Sequence, residues 1–172
     1  MGALVHVLGA MAAERVFYNE NTNGVGGDLQ SATERAAWMV GTSGMGPQPV
    51  ELNSVKFDDE SEEQTRERIM KRFETVGLTL MNRTRGSSFQ ADPIASVLQD
   101  PFKRKYAAQI LGQAYVTAEN FIEANREAVE RIAEAVIEKG ELYGDELVGL
   151  LERQNLVKPD IDWAKEETWP RI

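Results

Sequence analysis

The chain has 172 residues, a formal net charge of −9, 42% hydrophobic and 27% charged residues, and no cysteine. This is a globular composition, long enough for one domain with a real core. The acidic balance argues against a nucleic-acid partner, which would need a basic face, and the missing cysteines exclude disulfides, thiolate zinc sites and cysteine nucleophiles while being compatible with a reducing compartment.

Leu4, Val5, Leu8, Met11, Ala12 and Val16 recur at spacings of three and four, which predicts one helix over 1–17. Gly9, Ala10, Ala12 and Ala13 are small enough to let a second helix approach closely. The apolar start imitates a signal peptide, but no Lys or Arg precedes it, so it reads as a core helix. No apolar run reaches the roughly 18 to 20 residues that span a bilayer. Residues 18–27 are rich in Asn and Gly and predict a loop. A helix follows from Asp28, its expected N-cap, to Thr42, with Leu29, Ala32, Ala36, Met39 and Val40 on the buried side.

Residues 44–59 read as irregular, broken by Pro47 and Pro49. Ser61 and Gln64 have capping-box spacing and open a helix with an apolar stripe of Ile69, Phe73, Val76 and Leu80. Its mixed charges predict a solvated outer surface. A loop over 86–92 leads to a short helix from Pro93 to Gln99. The strongest signal is a single long helix from Phe102 to Lys139, stopped by Gly140. Its expected buried face runs through Tyr106, Ile110, Leu111, Ala114, Tyr115 and Ala118, and on through Val129, Ile132, Ala133, Val136 and Ile137. Asp145 is the expected cap of a last short helix, with Leu147, Val148, Leu150 and Leu151 packing inward. Beyond Asn155 the tail is polar, and Trp163 and Trp169 predict that it docks. No stretch alternates as a strand would. The fold class is all-α, a bundle of roughly four to six helices, with one domain over 1–154 and a tail over 155–172.

Two stretches carry a family resemblance. Residues 3–46 read ALVHVLGAMAAERVF, then TNGVGGDLQSATERAAWMV, then Gly44-Met45. In that stretch Gly9, Ala12, Ala13, Glu14, Thr22, Gly24, Asp28, Leu29, Ala32, Thr33, Met39, Val40, Gly44 and Met45 resemble, in order and spacing, the peptidase domain of FtsH-type ATP-dependent zinc metalloproteases. Ala114-Tyr115, Ala118, Asn125-Arg126, Ile132-Ala133 and Glu141-Leu142 resemble the last long helices of that domain. Residues 47–101 have no counterpart in this reading and look like an insertion.

The resemblance implies an all-α peptidase domain, with zinc as the cofactor of the complete enzyme. It also implies a hexameric ring as its assembly and unfolded or tagged proteins as its substrates. A zinc hydrolase needs three protein ligands, an open position for water and a carboxylate to take the water's proton. H-E-x-x-H supplies two histidines one helical turn apart plus that carboxylate. The only histidine here is His6, and Val7 and Ala10 stand where Glu and the second His belong. His6 therefore reads as a helix-surface or core-edge imidazole. The resemblance makes Asp28 the third zinc ligand in a complete enzyme, whereas its position alone is explained by capping. Gly27 stands where the family usually has Asn, which removes a local supporting side chain. Glu14 also reads as a solvated helix residue, and Gly24, Gly26 and Gly27 are not followed by the Lys-Ser/Thr of a phosphate loop.

Two functional readings stay open. In the first, the chain is part of a larger protease, with no zinc and no activity of its own. In the second, it is a complete but degenerate peptidase-like domain that serves as an interaction or assembly module. A cytoplasmic location is expected in either case, without a membrane segment in this chain; a helical bundle whose resemblance is coincidental is the third, blander reading.

Overall fold

The computed structural model describes residues 1–48, 61–83, 93–165 and 169. The described elements are helices α1 (Gly2–Val7), α2 (Gly9–Tyr18), α3 (Gly26–Gly41), α4 (Glu62–Arg83), α5 (Pro93–Gln99), α6 (Pro101–Ala124), α7 (Arg126–Lys139) and α8 (Gly144–Arg153). A single 3-10 turn, Asn23–Val25, leads into α3. No strand occurs among the described residues, in agreement with the all-α expectation. The irregular stretch expected after Pro49 and the loop expected over 86–92 lie outside the described residues.

Helix α6 is the axis of the bundle. Helices α1, α2, α3, α4 and α5 all pack against it, α4 most extensively. Burial on every side explains why residues Ala107 to Val116 are buried without a break, including Gln109, Gly112 and Gln113. Its first turn is held by Asp100, whose Oδ1 accepts the Phe102 and Lys103 N–H groups at 2.9 and 3.2 Å. Tyr106, expected on the buried face, is 48% exposed because it precedes the stretch that the other helices enclose.

Helices α4 and α6 cross at two glycines. A Cβ on Gly77 would lie 1.9 Å from the Ala108 carbonyl oxygen, and one on Gly112 would lie 2.1 Å from that of Phe73. The two backbones therefore touch, and only glycine permits it. Helix α4 begins with the expected capping box: Ser61 N–H donates to Gln64 Oε1 at 2.9 Å and Gln64 N–H to Ser61 Oγ at 3.2 Å. Its expected stripe of Ile69, Phe73, Val76 and Leu80 is buried. Thus the stretch expected to be an insertion supplies the main partner of the central helix.

Four expectations are corrected. The stretch over 1–17 is two helices that meet at Leu8, next to Gly9, a weak helix former with nothing within 4 Å of a Cβ there. The long helix ending at Lys139 is also two, broken at Asn125, whose side chain is turned to bond another segment. The expected buried row of α7 and α8 is largely open: Val136, Ile137, Val148 and Leu151 are exposed, and only Ala128 of these two helices is buried. These helices form an arm rather than a layer of the bundle. Arg131 Nε donates to Gln154 Oε1 at 2.7 Å near one end, and Lys139 pairs with Glu146 near the other. Gly140 stops α7 at a φ of 80°, as expected. Asp145 lies in the first turn of α8, but the N-cap position belongs to Tyr143 without a side-chain bond.

Two tail residues pack against the bundle at Phe73. Trp169 is 3% exposed and stacks on Phe73 with ring centroids 4.5 Å apart; Trp163 meets the edge of Phe73 at 5.1 Å.

Candidate functional site

The residues singled out by the sequence gather around the α2–α3 connection. Helix α2 ends at Asn19, which takes the left-handed conformation at φ 57°. Arg15 donates to the Asn19 carbonyl at 2.7 Å, and Asn21 Nδ2 reaches back to the Met11 carbonyl at 2.9 Å. The connection is thus folded back along its own helix.

Glu14 and Thr22 form the centre of this turn. Thr22 N–H donates to Glu14 Oε2 and Thr22 Oγ1 to Glu14 Oε1, both at 2.8 Å. Thr22 Oγ1 in turn accepts the Gly24 N–H at 3.2 Å and so caps the 3-10 turn. The backbone hydrogen bond from Thr22, followed by its hydroxyl, holds the Glu14 carboxyl below the usual glutamate range. Glu14 is therefore a clamp that spends both oxygens on the loop. A cluster legible only as family matches turns out to be one hydrogen-bonded unit.

The clamp sets where α3 starts. Because the 3-10 turn runs straight into helix, α3 begins at Gly26, and Asp28 lies inside its first turn rather than at the N-cap. The expected cap role is corrected for that reason: Val25 holds the N-cap position without a side-chain bond. Asp28 still complements the positive end of the helix, and it is partly exposed. Gly24 is close to Thr22, since a Cβ there would lie 3.3 Å from Thr22 Oγ1, whereas a Cβ on Gly27 would meet nothing within 4 Å. Thr33 is 1% exposed and packs in the core behind the turn. A polar hollow of about 380 Å³ opens beside the loop, lined by Arg15, Glu20, Asn21, Thr22, Asn23 and the start of α3. Asp28 does not line it.

A catalytic zinc needs three converging donors. Among the described residues, no three His, Asp or Glu side chains are grouped to hold a metal ion. Glu14 is occupied by Thr22, and the exposed His6 stands on α1. Asp28 by itself is a single carboxylate, which does not make a zinc site. The described residues therefore do not fit the metal unaided.

A second hub lies at the α6–α7 junction. Arg126 donates through both terminal guanidinium nitrogens to the Val16 carbonyl at 3.1 and 2.8 Å, and its charge lies 4.8 Å over the Phe17 ring. It thereby satisfies a carbonyl in the last turn of α2, within the span that Glu14 and Thr22 close. Sequence reasoning matched Asn125-Arg126 to the family but missed this role; an Asn inside an otherwise helical run was the available signal. Glu119 is partly buried beside Tyr115, and burial raises its carboxyl above the usual range despite the Tyr115 hydrogen bond and the nearby Arg15 charge.

Comparison with known proteins gives a consistent picture. The family model "Peptidase family M41" matches residues 1–150. The ATP-dependent zinc metalloprotease FTSH 6, chloroplastic, of Arabidopsis thaliana is 32% identical over 153 residues, covering 86% of this chain and 19% of that protein. The ATP-dependent zinc metalloprotease FtsH 1 of Thermoanaerobacter sp. (strain X514) is 32% identical over 146 residues, with 85% and 20% covered. The FtsH of Kosmotoga olearia is 29% identical over 165 residues, with 94% and 22% covered. The chain thus spans about a fifth of the length of these relatives. No solved structure gives a significant match.

Proposed function

Because the chain belongs to peptidase family M41, we propose that it supplies the helical part of an FtsH-like protease domain, with Asp28 as one carboxylate ligand of a zinc site completed by residues it does not itself contribute. The complete enzyme would cleave unfolded or tagged proteins, and this chain alone would bind no zinc and be inactive. The observation that carries this reading is the position of Asp28. It lies partly exposed in the first turn of α3, behind a loop that Glu14 and Thr22 hold rigid. On this reading Asp28 takes the place of the family's third ligand, and its side chain is not consumed by a helix cap. Metal chemistry needs a donor pre-positioned in this way.

The test is proteolysis by the full chain, supplied with zinc, using an unfolded, fluorophore-quenched casein as substrate. The expected result is no cleavage above the rate without protein. Cleavage abolished by a chelator and by Asp28→Ala would overturn the inactive-alone reading.

A second reading is favoured by the arm. Val136, Ile137, Tyr143, Val148 and Leu151 leave an apolar row uncovered on α7, α8 and their connection, and such rows promote association. On this reading the chain assembles with copies of itself, as a hexamer where the ring is complete. Sedimentation should show concentration-dependent assembly that Ile137→Glu with Val148→Glu abolishes; a monomer at all concentrations would refute it. No helix among the described residues is long and apolar enough to cross a membrane. A cytoplasmic location belongs to the same proposal, and fractionation of cells expressing the chain checks it.

A further inference from the structure

We propose that residues 157–165, together with Trp169, act as a hinged strap, with Val157 as the hinge and Trp169 as a plug that can leave the bundle without unfolding it. The strap lies beyond the residues that match the family model, which end at 150.

The hinge is held by Asn125, which is 6% exposed. Asn125 Oδ1 accepts the Val157 N–H at 2.8 Å, and Nδ2 donates to the Val157 carbonyl at 2.9 Å and to the Phe121 carbonyl at 2.8 Å. One buried side-chain amide thus grips both backbone groups of a single strap residue. The far end is held differently. Trp169 stacks on Phe73 at an interplanar angle of 25°, and Trp163 closes the other side edge-on, with 6.2 Å between the two indole centroids. Between the ends, Asp162 folds the strap on itself: its Oδ1 accepts the Ala164 N–H and its carbonyl accepts the Lys165 N–H, each at 3.1 Å.

The plug carries a built-in penalty. The Trp169 indole nitrogen is buried with no hydrogen-bond partner among the described residues. Docking strips this N–H of water and returns no acceptor among the described residues, so the ring contacts hold it less firmly than their area suggests. Phe73, by contrast, is fully buried on α4, which is locked against α6 by the glycine crossing. A weakly held segment on a strongly held bundle is the arrangement that opens sub-globally. Opening removes the indole contacts from the Phe73 ring.

Hydrogen exchange at the indole N–H groups of the full-length chain, followed by NMR, tests this directly, with Trp169→Phe used only to assign its resonance. The Trp169 indole should exchange more slowly than that of Trp38, which is 52% exposed. It should also exchange at least about tenfold faster than the Ile110 and Leu111 amides of α6, after correction for intrinsic rates. In Asn125→Ala, the Trp169 rate should rise by a larger factor than the α6 amide rates. Exchange of Trp169 at the same opening free energy as the α6 amides would overturn the proposal, because the tail would then be part of the cooperative core. Exchange as fast as Trp38 would overturn it too, because the plug would not be seated.

Discussion

Replacing Gly112 with alanine tests the packing logic of the whole bundle. The added methyl would lie 2.1 Å from the Phe73 carbonyl oxygen and 2.9 Å from the carbonyl carbon, where ordinary contact begins near 3.4 Å. Both atoms are backbone of a buried helix, so no rotamer change relieves the clash. Helices α4 and α6 must separate by more than 1 Å, which loosens Phe73 beneath Trp163 and Trp169. Overpacking of this kind costs about 1–3 kcal/mol, occasionally more, and loss of contact along the crossing adds to it. Alanine returns about 1 kcal/mol of helix propensity. The net expectation is a loss of about 2 kcal/mol, or a Tm lower by roughly 4–8 °C for a chain of this size. Gly77→Ala should behave alike, since its methyl would meet the Ala108 carbonyl. The double variant should lose less than the sum, because one separation relieves both clashes. Gly27→Ala is the control: with nothing within 4 Å, it should hold or gain up to about 1 kcal/mol. Urea and thermal melts followed by circular dichroism read all four. A Gly112→Ala variant as stable as the parent would refute the backbone contact at this crossing.

Asn125→Ala removes the grip on Val157, but Val157 is 53% exposed and its backbone can turn to water; a loss of about 1–2 kcal/mol in thermal melts is expected. Glu14→Gln should weaken the chain at neutral pH. The folded Glu14 carboxyl is held low by Thr22, so its contribution is present above the ordinary value of about 4.3 and is lost as pH falls through the depressed value. Melts at several pH values should therefore show parent and variant converging in acid. Glu119→Gln should do the opposite. Burial raises the Glu119 carboxyl, so its charge opposes folding above the raised value and the penalty disappears as pH falls through it. The variant should have the higher Tm near pH 7, with the gain vanishing below about pH 4.

The sequence revealed what local chemistry controls. The Ser61–Gln64 box, the stripe from Ile69 to Leu80, the stop at Gly140 and the docking tryptophans all act within a few residues or by plain hydrophobicity. It misled where tertiary contacts decide. Periodicity through Asn125 looks unbroken, and only the distant Val157 backbone explains the break. The all-round burial of α6 was concealed by Gln109, Gly112 and Gln113, which read as a polar side until the neighbours are known. In the candidate site, Asp28 looked like a cap because the 3-10 turn built on Thr22 has no signature beyond a Thr two residues before a Gly. The open rows of α7 and α8 look buried in sequence because an apolar face reads the same whether its partner is in the chain or outside it.

The most direct test of the central claim is the zinc content of the purified, metal-loaded chain, measured beside Asp28→Ala. Neither protein should hold stoichiometric zinc, since Asp28 is a single ligand awaiting others. About one zinc per chain, lost in Asp28→Ala, would contradict it, because this polypeptide would then hold a complete metal site of its own.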